Sequence, residues 1–183
     1  MPGAEGDGAA GLRRREERPA DAGFRYELFC QSRPPGEDFS FLAPAMRETL
    51  LRQQFIGQTA SYRASHPAAR HEILEAEGRP IGRIVYDRGS QAILILDLAF
   101  LNEFRNQGLG ARMLAEICAE AQAAGIAVRF HSFLSNVHAN RLFLRLGFAP
   151  IAQTELQILW ERPAETKSAS PLEPEHASPT RNE

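Results

Sequence analysis

Between about residue 24 and residue 161 the spacing of hydrophobic and polar positions changes several times, and each change of period marks an element. Phe24 to Gln31 (FRYELFCQ) reads as a first strand, ended by the Pro34-Pro35-Gly36 break. Pro44 to about Ser65 reads as a long helix with Leu51, Phe55 and Tyr62 near one face and Arg47, Glu48 and Arg52 turned to solvent. His66-Pro67 ends it, because the residue before a proline disfavours the helical region. Three strands with short turns follow: His71 to Ala76, Ile81 to Asp87, and Ala92 to Leu101. The last of these, AILILDLAFL, is almost continuously apolar, the pattern of a central strand covered on both faces.

A helix is expected from about Gly108 to Ala123, with Leu109, Met113 and Ile117 at i, i+4, i+8 and Gly125 as its stop. Ala127 to Phe133 is another strand. Asn136 is placed to cap a helix that runs to Leu146, with Gly147 as its terminator. Phe148 to Ile151 and Thr154 to Trp160 complete a strand pair. The order of elements predicts a mixed α/β sheet flanked by helices. Residues 1–22 lack an apolar period, and residues 163–183 contain four prolines and one large aliphatic side chain, Leu172. Both are expected to be disordered tails around a single domain at 23–162.

Composition narrows the class. The chain of 183 residues is 43% hydrophobic and 24% charged, enough apolar content for a real core. A formal charge of −2 argues against a nucleic-acid partner. No apolar run approaches the roughly 20 residues of a membrane span, and the N-terminus has no apolar signal region. Cys30 and Cys118 are far apart and read as reduced thiols in a cytoplasmic protein. No metal site is expected.

The candidate chemistry centres on Arg105-Asn106-Gln107-Gly108-Leu109-Gly110, which joins the apolar strand to a helix. Two glycines at a helix start remove side chains where backbone N–H groups are unpaired, and the helix dipole favours an anion there. A nucleotide P-loop would need Gly-Lys-Ser/Thr, but Ala111-Arg112 follow Gly110. A dinucleotide fingerprint would need a small residue at Met113 and a position on the first strand of a βαβ unit. A phosphate cradle and a plain tight turn both remain open from this loop alone.

The pattern Arg-x-x-Gly-x-Gly after Leu98-Ala99-Phe100 resembles the coenzyme A motif of the GNAT superfamily of N-acyltransferases. The block Asn136-x-x-Ala139-x-x-Leu142-Phe143-x-x-x-Gly147-Phe148 resembles that family's downstream helix motif. The resemblance covers about residues 24–161. It implies a mostly antiparallel sheet splayed between its fourth and fifth strands, with acetyl-CoA or another acyl-CoA in the gap. It further implies that the amides of Gln107, Gly108, Leu109, Gly110 and Ala111, opened by Arg105, hold the pyrophosphate. Leu98 and Phe100 would pair their backbone with the pantetheine arm. An N–H near Leu98 or Ala99 would stabilise the oxyanion. Asn136 and Phe143 would border the cofactor arm.

The sequence departs from the family at Phe143, where a tyrosine often protonates the departing thiolate. A positioned acid contributes roughly 10²- to 10⁴-fold, yet a thiol with a pKa of about 8.5 leaves without one. Asp97, the lone charge of its strand, is a candidate base, a candidate anchor for a substrate ammonium, or a structural acceptor. His131 on the facing strand is a second candidate base. Tyr62, His66 and Tyr86 are candidates to line the acceptor pocket, and His138 is expected on an exposed helix face. The leading expectation is an acetyl-CoA-dependent N-acetyltransferase acting on a primary amine of a small molecule or peptide. The alternative is a non-catalytic acyl-CoA-binding module. A homodimer is common in the resembling family.

Overall fold

The structure is a computed structural model that describes residues 11–33 and 38–165. Its elements are β1 (Arg13–Glu16), α1 (Ala22–Gln31), α2 (Pro44–Ser65), β2 (Arg70–Ala76), β3 (Arg79–Arg88) and β4 (Ala92–Phe100), then α3 (Leu109–Ala124), β5 (Ala127–Phe133), α4 (Val137–Arg145), β6 (Ala149–Gln153) and β7 (Gln157–Arg162). The strands form one sheet in the order β1-β2-β3-β4-β5-β7-β6. Every neighbouring pair is antiparallel except β4 with β5, which is parallel.

The sheet has a helix layer on each face. Met113, Leu114 and Ile117 of α3 pack on Ile84, Tyr86, Ile93 and Ile95, and α4 adds Phe143 to the same core. On the opposite face Leu28 of α1 and Leu51 of α2 are buried. Of the i, i+4, i+8 stripe predicted for α3, Met113 and Ile117 are buried and Leu109 is partly buried against the core, and Gly125 ends the helix in the left-handed region at φ 67°. The limits of α2 and β5 fall where the periodicity put them.

Two expectations are corrected. Phe24 to Gln31 is not a strand but lies in α1. Arg25, Leu28, Phe29 and Ser32 turn to one side at helical spacing, and eight residues with apolar positions at both two- and four-residue intervals satisfy either period. The ordered domain also begins well before residue 23. Leu12 joins the main core, and Arg13 to Glu16 pair with Glu75 to Glu72. Residues 1–10 and 166–183 of the tails expected at 1–22 and 163–183, and the Pro34-Pro35-Gly36 break, lie outside the described residues.

Charge, together with the core contact of Leu12, fastens this N-terminal segment. Arg15 donates from Nη1 and Nη2 to the two oxygens of Asp21, both at 2.8 Å, and from Nε to Glu75 at 2.6 Å. The Arg18 N–H adds a bond to Asp21 at 2.7 Å. These donors, led by Arg15, pull the Asp21 carboxyl down to about 2. An acid whose folded pKa is lowered adds stability above its unfolded value and loses it as pH falls through the folded value. Asp21→Asn is therefore expected to cost roughly 1–3 kcal/mol at pH 7 in urea unfolding. The deficit should close as the pH is taken from about 5 toward about 2.

Candidate active site

β4 and β5 are paired only from Ala92 opposite Ala127 to Ile95 opposite Phe130. Beyond that point β4 continues with β3 alone, while β5 continues with β7 as far as Phe133 opposite Gln157. The strands part, and a cavity of about 420 Å³ opens between them. Leu96, Asp97 and Ala99 form one lip and His131 and Phe133 the other, with α1 and α2 above.

A β-bulge coincides with the parting. Tyr86 lies opposite Ile95 but Val85 lies opposite Asp97, so Leu96 is an extra residue in β4. Side chains alternate along a strand, so one extra residue inverts the phase of everything after it. Ile93 and Ile95 therefore face the α3 core before the bulge, and Leu98 and Phe100 face it afterwards. Without the bulge Asp97 would share the core-facing side of Ile95. With it, Asp97 and Ala99 turn into the cavity. The Tyr62 hydroxyl donates to the carbonyl of the bulged Leu96 at 3.3 Å. Gly82 admits the Phe100 ring: a Cβ there would stand 2.7 Å from Phe100 Cδ1 and 2.6 Å from the Ala99 carbonyl.

Beneath Asp97 lies a buried charge network. Arg83 donates to Asp97 Oδ2 at 3.4 Å and to Glu17 Oε2 at 3.1 Å. His71 Nδ1 lies 2.9 Å from Arg83 Nη2 and must accept, since a guanidinium has no acceptor. Burial, with help from Arg83, pushes the His71 pKa down, which keeps the ring neutral. Burial pushes the Asp97 carboxyl up, opposed by the Arg83 guanidinium and the Leu98 N–H. Tyr62 is pushed up to about 12 by burial and by Asp97.

At the end of β4 the chain turns into α3 through two left-handed residues, Asn106 at φ 59° and Gly108 at φ 79°. The first backbone bond of α3 runs from Arg112 N–H to Gly108 C=O at 3.0 Å, so the amides of Leu109, Gly110 and Ala111 have no intrahelical acceptor. A Cβ at Gly108 or Gly110 would meet no atom within 4 Å. Unpaired amides, open space and the positive end of a helix of 16 residues fit a pyrophosphate group.

The other expected site residues divide by position. The Arg105 side chain is engaged inside the protein, with Nε on the Phe100 carbonyl and Nη2 on the Gln31 carbonyl, both at 2.9 Å. It braces the loop against α1. Gln107 donates its side chain to the Glu103 carbonyl at 2.6 Å. Asn136 caps α4, accepting from Ala139 N–H at 3.4 Å. Phe143 packs edge-on to Phe130 at 4.6 Å and to Trp160 at 5.7 Å, and does not line the cavity. Of the three candidates for the acceptor pocket, Tyr62 lines it. His66 instead lies 3.0 Å from Asp87, and Tyr86 is buried in the core with its hydroxyl on Glu72. His138 is exposed, as expected. Arg83, Glu17 and Arg25 are additions. Arg83, the only charge in the run Gly82 to Tyr86, carried the same signal as Asp97.

A model of the Acetyltransferase (GNAT) family matches residues 26–148, and the chain belongs to that family. It is therefore an acyltransferase. Solved structures with the same fold include the PaiA N-acetyltransferase of Thermoplasma acidophilum in complex with coenzyme A, at 14% identity, covering 84% of this chain and 99% of that one, with a TM-score of 0.62. Another, described as histone acetyltransferase HPA2 and related acetyltransferase from Corynebacterium glutamicum, matches at 17% identity over 86% of this chain and 99% of that one, TM-score 0.63. The ribosomal-protein-S18-alanine N-acetyltransferase of Escherichia coli matches at 15% identity over 89% and 99%, TM-score 0.61. No curated protein matches the sequence.

Removing Arg83 would take the counter-charge from Asp97 and one of the bonds from Glu17. Arg83→Met is expected to cost about 3–5 kcal/mol in urea unfolding. Adding Asp97→Asn to that variant should recover part of the loss, as a double-mutant cycle would measure.

Proposed function

We propose that the chain is an N-acetyltransferase that takes acetyl-CoA as donor and a primary amine of a small molecule or peptide as acceptor. The observation that carries this reading is the continuity of two sites along one segment. The open amides at Leu109 to Ala111 follow directly on the strand whose splayed end lines the cavity. The coenzyme A in the Thermoplasma structure of the same fold supports the choice of donor.

In this reading the amides of residues 107–111 hold the pyrophosphate, and the Leu98 to Phe100 backbone aligns the pantetheine arm. Bound acetyl-CoA supplies an activated thioester carbonyl. Arg105 holds the loop in shape without spending its charge on the ligand. Asp97, with its pKa raised by burial, receives the ammonium and takes its proton, directly or through a water. His131 faces it across the gap and is the second candidate for that task. An N–H at Leu98 or Ala99 meets the oxyanion. The unpaired thiols Cys30 and Cys118 support a cytoplasmic setting.

One observation favours a second reading, a binding module without turnover: Phe143 lies in an aromatic cluster and brings no hydroxyl. Two measurements separate the readings. Acetyl-CoA at 100 times its dissociation constant should raise stability by about 2.7 kcal/mol, and Gly108→Glu should abolish that shift. Thiol release from acetyl-CoA with a panel of amines, amino acids and peptides is the sign of an enzyme. A thermal shift with no thiol release from any acceptor would favour the module; no shift at millimolar acetyl-CoA would overturn both.

A further inference from the structure

The cavity is lined by three guanidinium groups, Arg25, Arg33 and Arg83, and by one carboxylate, Asp97. Below them a single carboxylate is shared. Glu17 lies 2.8 Å from Arg25 Nη1, 3.1 Å from Arg83 Nε and 3.7 Å from Arg63 Nη2. Asp97 is paired with Arg83. Arg63 is 64% exposed and its charge is met by solvent, so the buried groups are two guanidiniums, Arg25 and Arg83, with two carboxylates, Glu17 and Asp97.

Of these groups Arg25 is the least well bonded. Its side chain is only 10% exposed, and its guanidinium lies 5.7 Å from the Phe55 ring centroid. Nε and Nη1 are buried and have no hydrogen-bond acceptor; the approach to Glu17 is close enough for an ion pair but lacks bonding geometry. A buried donor left unmade costs about 1–3 kcal/mol, more when charged. Burial lowers the Arg25 pKa, and the neighbouring Arg83 and Arg63 lower it further, against the pull of Glu17. An anion in the cavity beside Arg25 would add to the pull of Glu17 on this buried charge.

We infer that the acceptor carries a carboxylate as well as its amine, and that Arg25 receives the carboxylate while Asp97 receives the ammonium. The inference rests on the transferase reading above for the amine half. The two opposite charges at the cavity wall match a zwitterion, which is an amino acid or the end of a short peptide. Arg25 lies in the segment whose strand-like sequence pattern concealed its inward face.

The test pairs ligands that differ only in that charge. N-acetylglycine and N-acetylglycinamide are titrated into the coenzyme A-loaded protein by calorimetry, together with the next larger N-acetyl amino acids and their amides. The acid of the best pair is expected to bind at least tenfold tighter than its amide. Arg25→Gln should bring the ratio below about twofold, and Arg25→Lys, which keeps the charge but not the fork, should retain part of it. Thermal midpoints of both variants show that they are folded. Equal binding of acid and amide, no binding of either, or a tenfold preference that survives in a folded Arg25→Gln would overturn the inference. Thiol release with free amino acids is measured in parallel. Acid preference without thiol release would leave the Arg25 site standing and remove the transferase reading; thiol release without acid preference would do the reverse.

Discussion

Beyond Ile95 the fourth strand has a hydrogen-bonded neighbour on one side only, and the site depends on that loss of pairing. A parallel pair kept in register to Phe100 would close the gap between Asp97 and His131. The extra residue at Leu96 acts together with the parting of the strands. It inverts the side-chain phase, so that the apolar residues before and after it both reach the α3 core while Asp97 turns the other way. An ionisable group is thereby introduced into an apolar strand without entering the core. Tyr62 satisfies the displaced carbonyl, which ties α2 to the point where the strands separate.

A carboxylate in that position needs a counter-charge, and the counter-charge needs one in turn. Arg83 lies between Asp97 and Glu17, and Glu17 follows directly on β1, the first strand of the sheet. The N-terminal segment is therefore part of the site's electrostatics as well as an edge strand. Its own attachment uses Arg15 with Asp21 and Glu75, so an unbroken chain of ion pairs and backbone pairing joins the sheet edge to the cavity floor. Networks of this kind are by themselves weak evidence for stability.

Much of the fold was legible because its long elements have unambiguous periods. The 22 residues of α2 and the amphipathic stripe of α3 allowed no second reading. The glycine loop was legible because it needs a left-handed residue at Gly108 and clear space around it. Short segments were less informative. Phe24 to Gln31 fits two periods, and choosing strand hid Arg25. Arg13 to Glu16 carries no apolar period at all, because salt bridges and core contact by Leu12 hold it, and calling it a tail hid Glu17. The bulge was invisible for another reason: in AILILDLAFL nearly every position is apolar, so a change of phase leaves no trace. Asp97 is conspicuous there, and Arg83 on the adjacent strand carries the matching signal: two lone opposite charges on paired strands.

The central claim is that the splayed end of β4 and the open start of α3 form one continuous seat for an acyl-CoA. The most direct measurement is an acetyl-CoA titration of isotope-labelled protein, followed through backbone amide resonances. The account predicts saturable shifts at Leu98 to Phe100 and at Gln107 to Ala111, with the same dissociation constant at both places. Shifts confined to one of the two segments, or located outside both, would contradict it.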